Sequence, residues 1–191
     1  MTQINTSTSE KIILGIDPGT RYLGYGLIRI NKDKVTILQY GVLNLTKYTT
    51  QGAKFLKIHE RVLAILEEFL PDEIAIESPF FGKNVQSMLK LGRVQGMVMS
   101  LSYSKQIPIT EYEPKKVKQS VTGNGNASKE QVSKMVEIIS GIKLESKLHD
   151  ATDALGIAIC HHFHSKNLSS SVKGTQKGWG AFVNENPDRI K

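Results

Sequence analysis

The sequence predicts an α/β domain built on a five-stranded mixed sheet flanked by helices. Three observations predict it. Apolar, β-branched runs closed by turn residues occur three times in succession near the start, each later strand-like run follows a stretch of helical apolar spacing, and two of the strand-like runs end in a carboxylate. A chain of 191 residues is long enough to bury one core. Composition divides it into an N-terminal extension over residues 1–10, a domain over 11–166 and a mobile tail over 167–191.

Ile12-Ile13-Leu14-Gly15-Ile16 reads as a buried strand that delivers Asp17 at its end and turns at Pro18-Gly19. Gly24 to Ile30 and Val35 to Leu45 give the second and third strands, with a hairpin turn over Asn31-Lys32-Asp33-Lys34, so these three form an antiparallel meander. From Gly52 to Leu70, Phe55, Ile58, Val62, Ile65, Leu66 and Phe69 recur at helical spacing and Pro71 stops the helix. Glu73-Ile74-Ala75-Ile76-Glu77 is then a short buried strand. Reached through a helical crossover, it should lie parallel to the first strand, which would bring Glu77 and Asp17 to the same sheet edge.

A helix from Asn84 to Tyr103 is apolar over much of its circumference, with Gly92 and Gly96 four apart; it either packs wholly inside the monomer or offers one face to a partner. Ile107 to Glu111 is the fifth strand. Pro114 opens a basic helix, Lys115 to Gln119, and Thr122 to Ala127 is a loop. Ser128 caps the next helix with Gln131 in capping-box spacing, and the last helix runs from His149 to His164. Beyond Lys166 the residues turn to Ser, Lys, Gly and Asn, although Trp179 and Phe182 offer a way to dock that tail.

Lys and Arg number 25 against 18 Asp and Glu, a formal net charge of +7, which suits an anionic partner such as a phosphate backbone. No stretch is long and apolar enough to span a membrane, and Met1 to Glu10 does not read as a secretion signal, so a cytoplasmic location is expected. The single Cys160 excludes an internal disulfide and reads as core packing.

Four acids stand out: Asp17 and Glu77 at two strand ends, and Asp150 with Asp153 on one face of the last helix. Each alone also reads as a turn or surface charge. If that helix crosses the strand ends, the four meet, and such a cluster calls for a hard cation bound through oxygen, Mg²⁺ or Mn²⁺. Phosphodiester hydrolysis is the natural chemistry of that set. The order of strands and acids is that of the RNase H-like architecture.

Several motifs occur in one order. They are Ile13-Leu14-Gly15-Ile16-Asp17-Pro18-Gly19-Thr20-Arg21 with Gly24-Tyr25-Gly26, then Ile74-Ala75-Ile76-Glu77 with Phe80 and Lys83-Asn84, and Leu89-Lys90-Leu91-Gly92. Val117-Lys118-Gln119 with Gly123 and His149-Asp150-Ala151-Thr152-Asp153-Ala154-Leu155 complete the set. Together they resemble the RuvC family of crossover junction endodeoxyribonucleases, from about Lys11 to His164.

The resemblance implies a homodimeric nuclease that resolves Holliday junctions in recombination and DNA repair by paired nicks, with Mg²⁺ as cofactor, Mn²⁺ as a substitute, and one or two ions per subunit. It implies Asp17, Glu77, Asp150 and Asp153 as metal ligands and Lys118 and Lys129 as phosphate-contacting catalytic residues, where they would otherwise read as surface charges. Phe80 matches an aromatic that stacks on an unpaired base at the junction centre, the alternative being packing beside Phe81. Lys83, Lys90, Arg93, Lys115 and Lys116 are further expected DNA contacts, and the branch-migration proteins RuvA and RuvB are expected partners. Members carry Asp or His at the position of Asp150; spacing to Asp153 favours Asp150, with the adjacent His149 as an outer partner or a plain helix residue. Two rival readings remain: a less selective RNase H-like nuclease, and a non-catalytic junction-binding protein.

Overall fold

A computed structural model describes residues 10–79, 85–145 and 148–173. Phe80, Phe81, Lys83 and Asn84, the extension up to residue 9, and the tail from residue 174 with Trp179 and Phe182 lie outside the described residues. The elements run β1 (Lys11–Asp17), β2 (Tyr22–Asn31), β3 (Lys34–Asn44), α1 (Gln51–Phe69), β4 (Glu73–Glu77), α2 (Val85–Ser104), β5 (Ile109–Tyr112), α3 (Pro114–Thr122), α4 (Lys129–Ser140) and α5 (His149–Lys173). They form one five-stranded sheet of order β3-β2-β1-β4-β5. β1, β2 and β3 pair antiparallel, whereas β4 lies parallel to β1 and β5 parallel to β4. The expected meander, crossover and mixed sheet are all present.

Local chemistry sets the boundaries. Lys32 and Asp33 take φ 46 and 72, the two left-handed residues of a tight hairpin turn between β2 and β3. Ser128 and Gln131 form the capping box expected at the start of α4. Most boundaries fall within two residues of expectation, and those of α3, β5 and α5 have a visible cause for their shift. α3 continues through Thr122 and ends on Gly123 at φ 78, and β5 starts at Ile109, because the preceding Ile107 N–H turns back to the Ser102 carbonyl. α5 runs past Lys166 to Lys173, so the break in composition falls inside a helix; no Gly or Pro occurs between Gly156 and Gly174 to stop it.

The pleat sends alternate side chains to opposite faces. On one face Leu14, Ile16, Ile74 and Ile76 pack with Ile58, Val62, Ile65 and Leu66 of α1 and with Val94 and Val98 of α2. On the other, Ile13 and Ala75 pack with Leu155, Ala158 and Ile159 of α5, and α5 is in turn covered by Val117, Val121, Val132 and Val136 of α3 and α4. Cys160 is buried in that second core, as expected. Among the described residues no helix is long and apolar enough to cross a membrane.

A polar chain ties α5 to the sheet. Tyr112 Oη lies 2.8 Å from His161 Nδ1, His161 Nε2 faces a Glu73 carboxylate oxygen, and the other Glu73 oxygen pairs with Lys11. The His161 hydrogen bond, with help from Lys11, holds the Glu73 carboxyl at about 2. A carboxylate whose folded value lies below its unfolded one contributes stability above about 4.5, and loses it as the pH falls toward 2. Glu73→Gln is therefore expected to cost about 1.5–3 kcal/mol at pH 7 and to flatten the acid limb of the stability curve, read by urea unfolding at pH 3 to 7.

Candidate active site

β1 and β4 run side by side in parallel with Ile16 opposite Ile76, so Asp17 and Glu77 emerge as neighbours at the same end of the sheet. Both follow the alternation of Gly15 and Ala75, which places them on the α5 face. The first turn of α5 carries Asp150, and Asp153 follows it three residues on.

Glycines bring this helix down onto the acids. A Cβ on Gly15 would stand 2.0 Å from the Ala154 carbonyl oxygen, and one on Gly24 would stand 2.0 Å from the Asp150 carbonyl oxygen. Only a residue without a side chain lets the α5 backbone come this close to β1 and β2. As a result, carboxylate oxygens of Asp17, Asp150 and Asp153 all lie within 4.8 Å of one another. Of the four expected acids, Glu77 stands outside that trio. His149 is exposed and does not join it either.

Like charges at this separation oppose ionisation. Burial, then the charges of Glu77, Asp153 and Asp150, raise the Asp17 carboxyl well above its usual range. Burial and Asp153 push Glu77 up to about 7, and Glu77 is the first of the charges acting on Asp17, so it belongs to the same field although it is not one of the three within 4.8 Å. Two lysines oppose this. Lys129 Nζ donates to Asp153 Oδ2 at 2.7 Å, which raises the lysine, and Lys118 and Lys129 both pull Glu77 down. Three oxygens so close, held on rigid backbone and balanced mainly by one lysine, suit a hard divalent cation.

The lysines are placed by α3, α4 and the loop between them. Gln119 fixes that loop: its Nε2 donates to the Gly123 carbonyl at 2.7 Å and its Oε1 accepts from Gly125 N–H at 2.9 Å. Beside the acids a groove of about 1040 Å³ runs from Ser78 and Pro79 past Met88 and Arg93 of α2 to Lys115 and Lys118 of α3. The groove thus gathers Arg93, Lys115 and Lys118 of the expected DNA contacts. Lys116 is not among them, since its ammonium lies 5.3 Å from the centre of the Tyr112 ring. Lys90 lines a different cavity, between α1 and α2.

A family model described as crossover junction endodeoxyribonuclease RuvC matches residues 13–161, most of the chain. The chain belongs to the RuvC family. One RuvC, the crossover junction endodeoxyribonuclease of Cytophaga hutchinsonii, is 55% identical over 184 residues, 96% of this chain and 90% of its own length. The RuvC of Bacteroides fragilis is 50% identical over 184 residues, 95% of this chain and 97% of its own. Among solved structures, Thermus thermophilus RuvC in complex with a Holliday junction substrate superposes with a TM-score of 0.76 at 33% identity, covering 81% of this chain and 94% of that one. The yeast mitochondrial resolvase Ydc2, at 20% identity and a TM-score of 0.62 over 83% of this chain and 80% of that one, shares the fold. The RuvC model spans all the elements that carry the acids and lysines above, from β1 into α5.

Residue pattern alone did not mark Gly15 and Gly24 as the positions that seat α5, nor Gln119 as the residue that holds the loop. The first were visible as glycines inside a strand pattern, which often mark close backbone approach. The second required the loop geometry itself.

Proposed function

We propose that this chain is a divalent-metal-dependent endonuclease that resolves four-way DNA junctions by paired nicks in recombination and DNA repair. The observation that carries this reading is the Asp17, Asp150 and Asp153 trio, with oxygens within 4.8 Å, beside a groove that carries Arg93, Lys115 and Lys118 against one acid, Glu113, in a chain of the RuvC family. The junction as substrate is supported by the Thermus thermophilus relative, whose structure holds one. Mg²⁺ is the fitting ion, with Mn²⁺ as its substitute and one or two per subunit, held by the trio with Glu77 alongside.

Held by Asp17, Asp150 and Asp153 with Glu77 alongside, such an ion would supply Lewis-acid charge to the phosphoryl group and would lower the pKa of the attacking water. In the hydrolysis, water oxygen joins phosphorus and the bond to the 3′ oxygen breaks, leaving a 5′-phosphate and a 3′-hydroxyl. The protein's own part is positional and electrostatic. Arg93 and Lys115 hold the backbone in the groove, and Lys118 and Lys129 face the negative charge that grows on the phosphoryl oxygens. Lys118→Ala is expected to slow cleavage about a hundredfold in single-turnover assays while weakening junction affinity less than about tenfold. An unchanged rate would return Lys118 to the solvated surface.

A homodimer is part of the reading. Val85 and Leu89 are 64% and 53% exposed, and with Gly92 and Gly96, where an added Cβ would touch nothing, they form a stripe along α2 whose Val85, Leu89 and Gly92 also border the groove, so a second copy there would lie at the groove's edge. A second copy on this stripe would set two sites about a two-fold axis, matching a two-fold junction. Family membership supports RuvA and RuvB as partners and a cytoplasmic setting. Incubation with Mg²⁺ and a labelled four-way junction, beside a duplex of equal length, tests the reading: paired nicks in the junction alone are expected. Equal cutting of both would favour a less selective nuclease, and binding without Mg²⁺-dependent nicking a non-catalytic junction binder.

A further inference from the structure

The end of the sheet that carries the acids has a second face. Asp17 points toward α5, whereas Leu14 and Ile16 point toward α1 and α2. Where the core under α1 and α2 reaches the surface, a cavity of about 280 Å³ opens between the β1–β2 turn, the start of α1 and α2. Its floor is apolar, with Leu45, Ile58 and Val94 buried. Its rim is not.

Thr20, Thr49, Gln51, Lys54 and Lys90 form the rim, and no carboxylate lines the cavity among the described residues. Lys54 Nζ donates to the Thr20 carbonyl at 3.1 Å, which fixes the ammonium at the opening with two N–H groups to spare. Gln51 Oε1 accepts from Arg93 Nη1 at 3.1 Å, which brings a third cation beside the same rim. Thr50 Oγ1 caps α1 through Ala53 N–H, so the positive charge here comes from side chains and not from an open helix end. Two lysines on the rim with Arg93 beside it, two threonine hydroxyls and no lining carboxylate among the described residues suit an anion. The volume falls just below the range of small-molecule sites, about 300–1,000 Å³, and so favours a phosphate with part of its sugar over a whole nucleotide.

We propose that this cavity holds one backbone phosphate of the DNA, apart from the scissile one, on the face of the sheet opposite the acids. The proposal rests on the nuclease reading and adds a second grip to it. Thr20 follows Asp17 by three residues, at most about 11 Å of chain. The strand passes from the acids over the end of β1 and is held there, which fixes its register across the trio. Arg93 lines the groove and bonds Gln51 on the rim of the cavity, so this one side chain joins the two along α2.

The test uses the full chain and four-way junctions that each carry one neutral methylphosphonate linkage, placed at successive positions around the nick, with affinity measured in EDTA across a salt series. For the wild type, linkages held by the groove are expected to weaken binding, and one further linkage on the cavity side to weaken it about tenfold. In Lys54→Met/Lys90→Met that linkage loses its effect, and the slope of log affinity against log salt falls by about 1. Lys90→Met, which breaks no described hydrogen bond, reads the same coupling should the double variant fold poorly. Linkage effects and slopes equal in wild type and variants would show solvated lysines and overturn the proposal. So would saturation of the cavity by millimolar inorganic phosphate, read by chemical shifts, with no linkage effect. A wild type that neither binds nor nicks the junction contradicts the nuclease reading and this proposal with it, whereas a wild type that binds and nicks, with variants indistinguishable from it, contradicts the cavity alone.

Discussion

Asp17→Asn is expected to lower Mg²⁺-dependent nicking of a four-way junction by more than about a hundredfold, which already is the loss seen for residues one shell out from a metal. Junction affinity in EDTA should stay within about threefold, because the backbone is held by lysines and arginines and not by the acids. The same substitution should stabilise the metal-free protein. Asp17 is held above its usual range by burial and by Glu77, Asp153 and Asp150, so its ionisation costs the folded state free energy. For a group whose folded value is raised, stability is full below the unfolded value, 3.8 here, and is lost as the pH climbs through the folded one. Glu77 extends that decline from 4.5 to about 7. Metal-free wild type should therefore melt lower at pH 8 than at pH 5, Asp17→Asn should lose part of that difference, and Mg²⁺ should raise the wild type while barely moving the variant. Calorimetry at the two pH values, with and without Mg²⁺, reads all three. A variant that nicks at the wild-type rate would mean that the reaction lies elsewhere.

Gly24→Ala is expected to cost about a hundredfold in cleavage without touching an ionisable group. Its Cβ would stand 2.0 Å from the Asp150 carbonyl oxygen and 2.4 Å from its carbon, and both are backbone atoms that no rotamer change can remove. The start of α5 must lift by more than about 1 Å, which carries Asp150 and Asp153 away from Asp17, and a misplacement of that size costs about two orders of magnitude in rate. Overpacking should also cost about 1–3 kcal/mol of stability. Gly52→Ala is the control: an added Cβ there meets nothing, and the residue is exposed at the start of α1. Single-turnover nicking at saturating protein, beside thermal melts, separates a displaced site from an unfolded one. Equal rates for Gly24→Ala and wild type would show that α5 is not seated by the glycines.

Much of this arrangement is legible in the residues, for physical reasons. The strands and α1 declare themselves by period, and Pro18, Pro71 and Pro114 mark where elements end or begin. A helical crossover makes β4 parallel to β1, and with that Asp17 and Glu77 become neighbours before any coordinate is known. The approach of α5 is different. It depends on Gly15 and Gly24 facing the same side of two paired strands, a register that single-segment periodicity does not contain. It also decides which acids meet: the trio forms around the helix pair and Asp17, and Glu77 stays at its border. Lys116 shows a coarser gap. Lys115 and Lys118 stand three apart and share the groove face of α3, while Lys116 turns to Tyr112, so helical spacing within the basic run carried more information than its charge. The end of α5 followed backbone propensity, with no breaker before Gly174, where polarity suggested a tail.

The central claim is that Asp17, Asp150 and Asp153 form a divalent-ion site. Crystals soaked in Mn²⁺ and measured at the manganese edge test it most directly. An anomalous peak about 2 Å from oxygens of all three carboxylates is the predicted result. Clear maps at saturating Mn²⁺ with no peak there, and Lys129 still paired to Asp153, would contradict it.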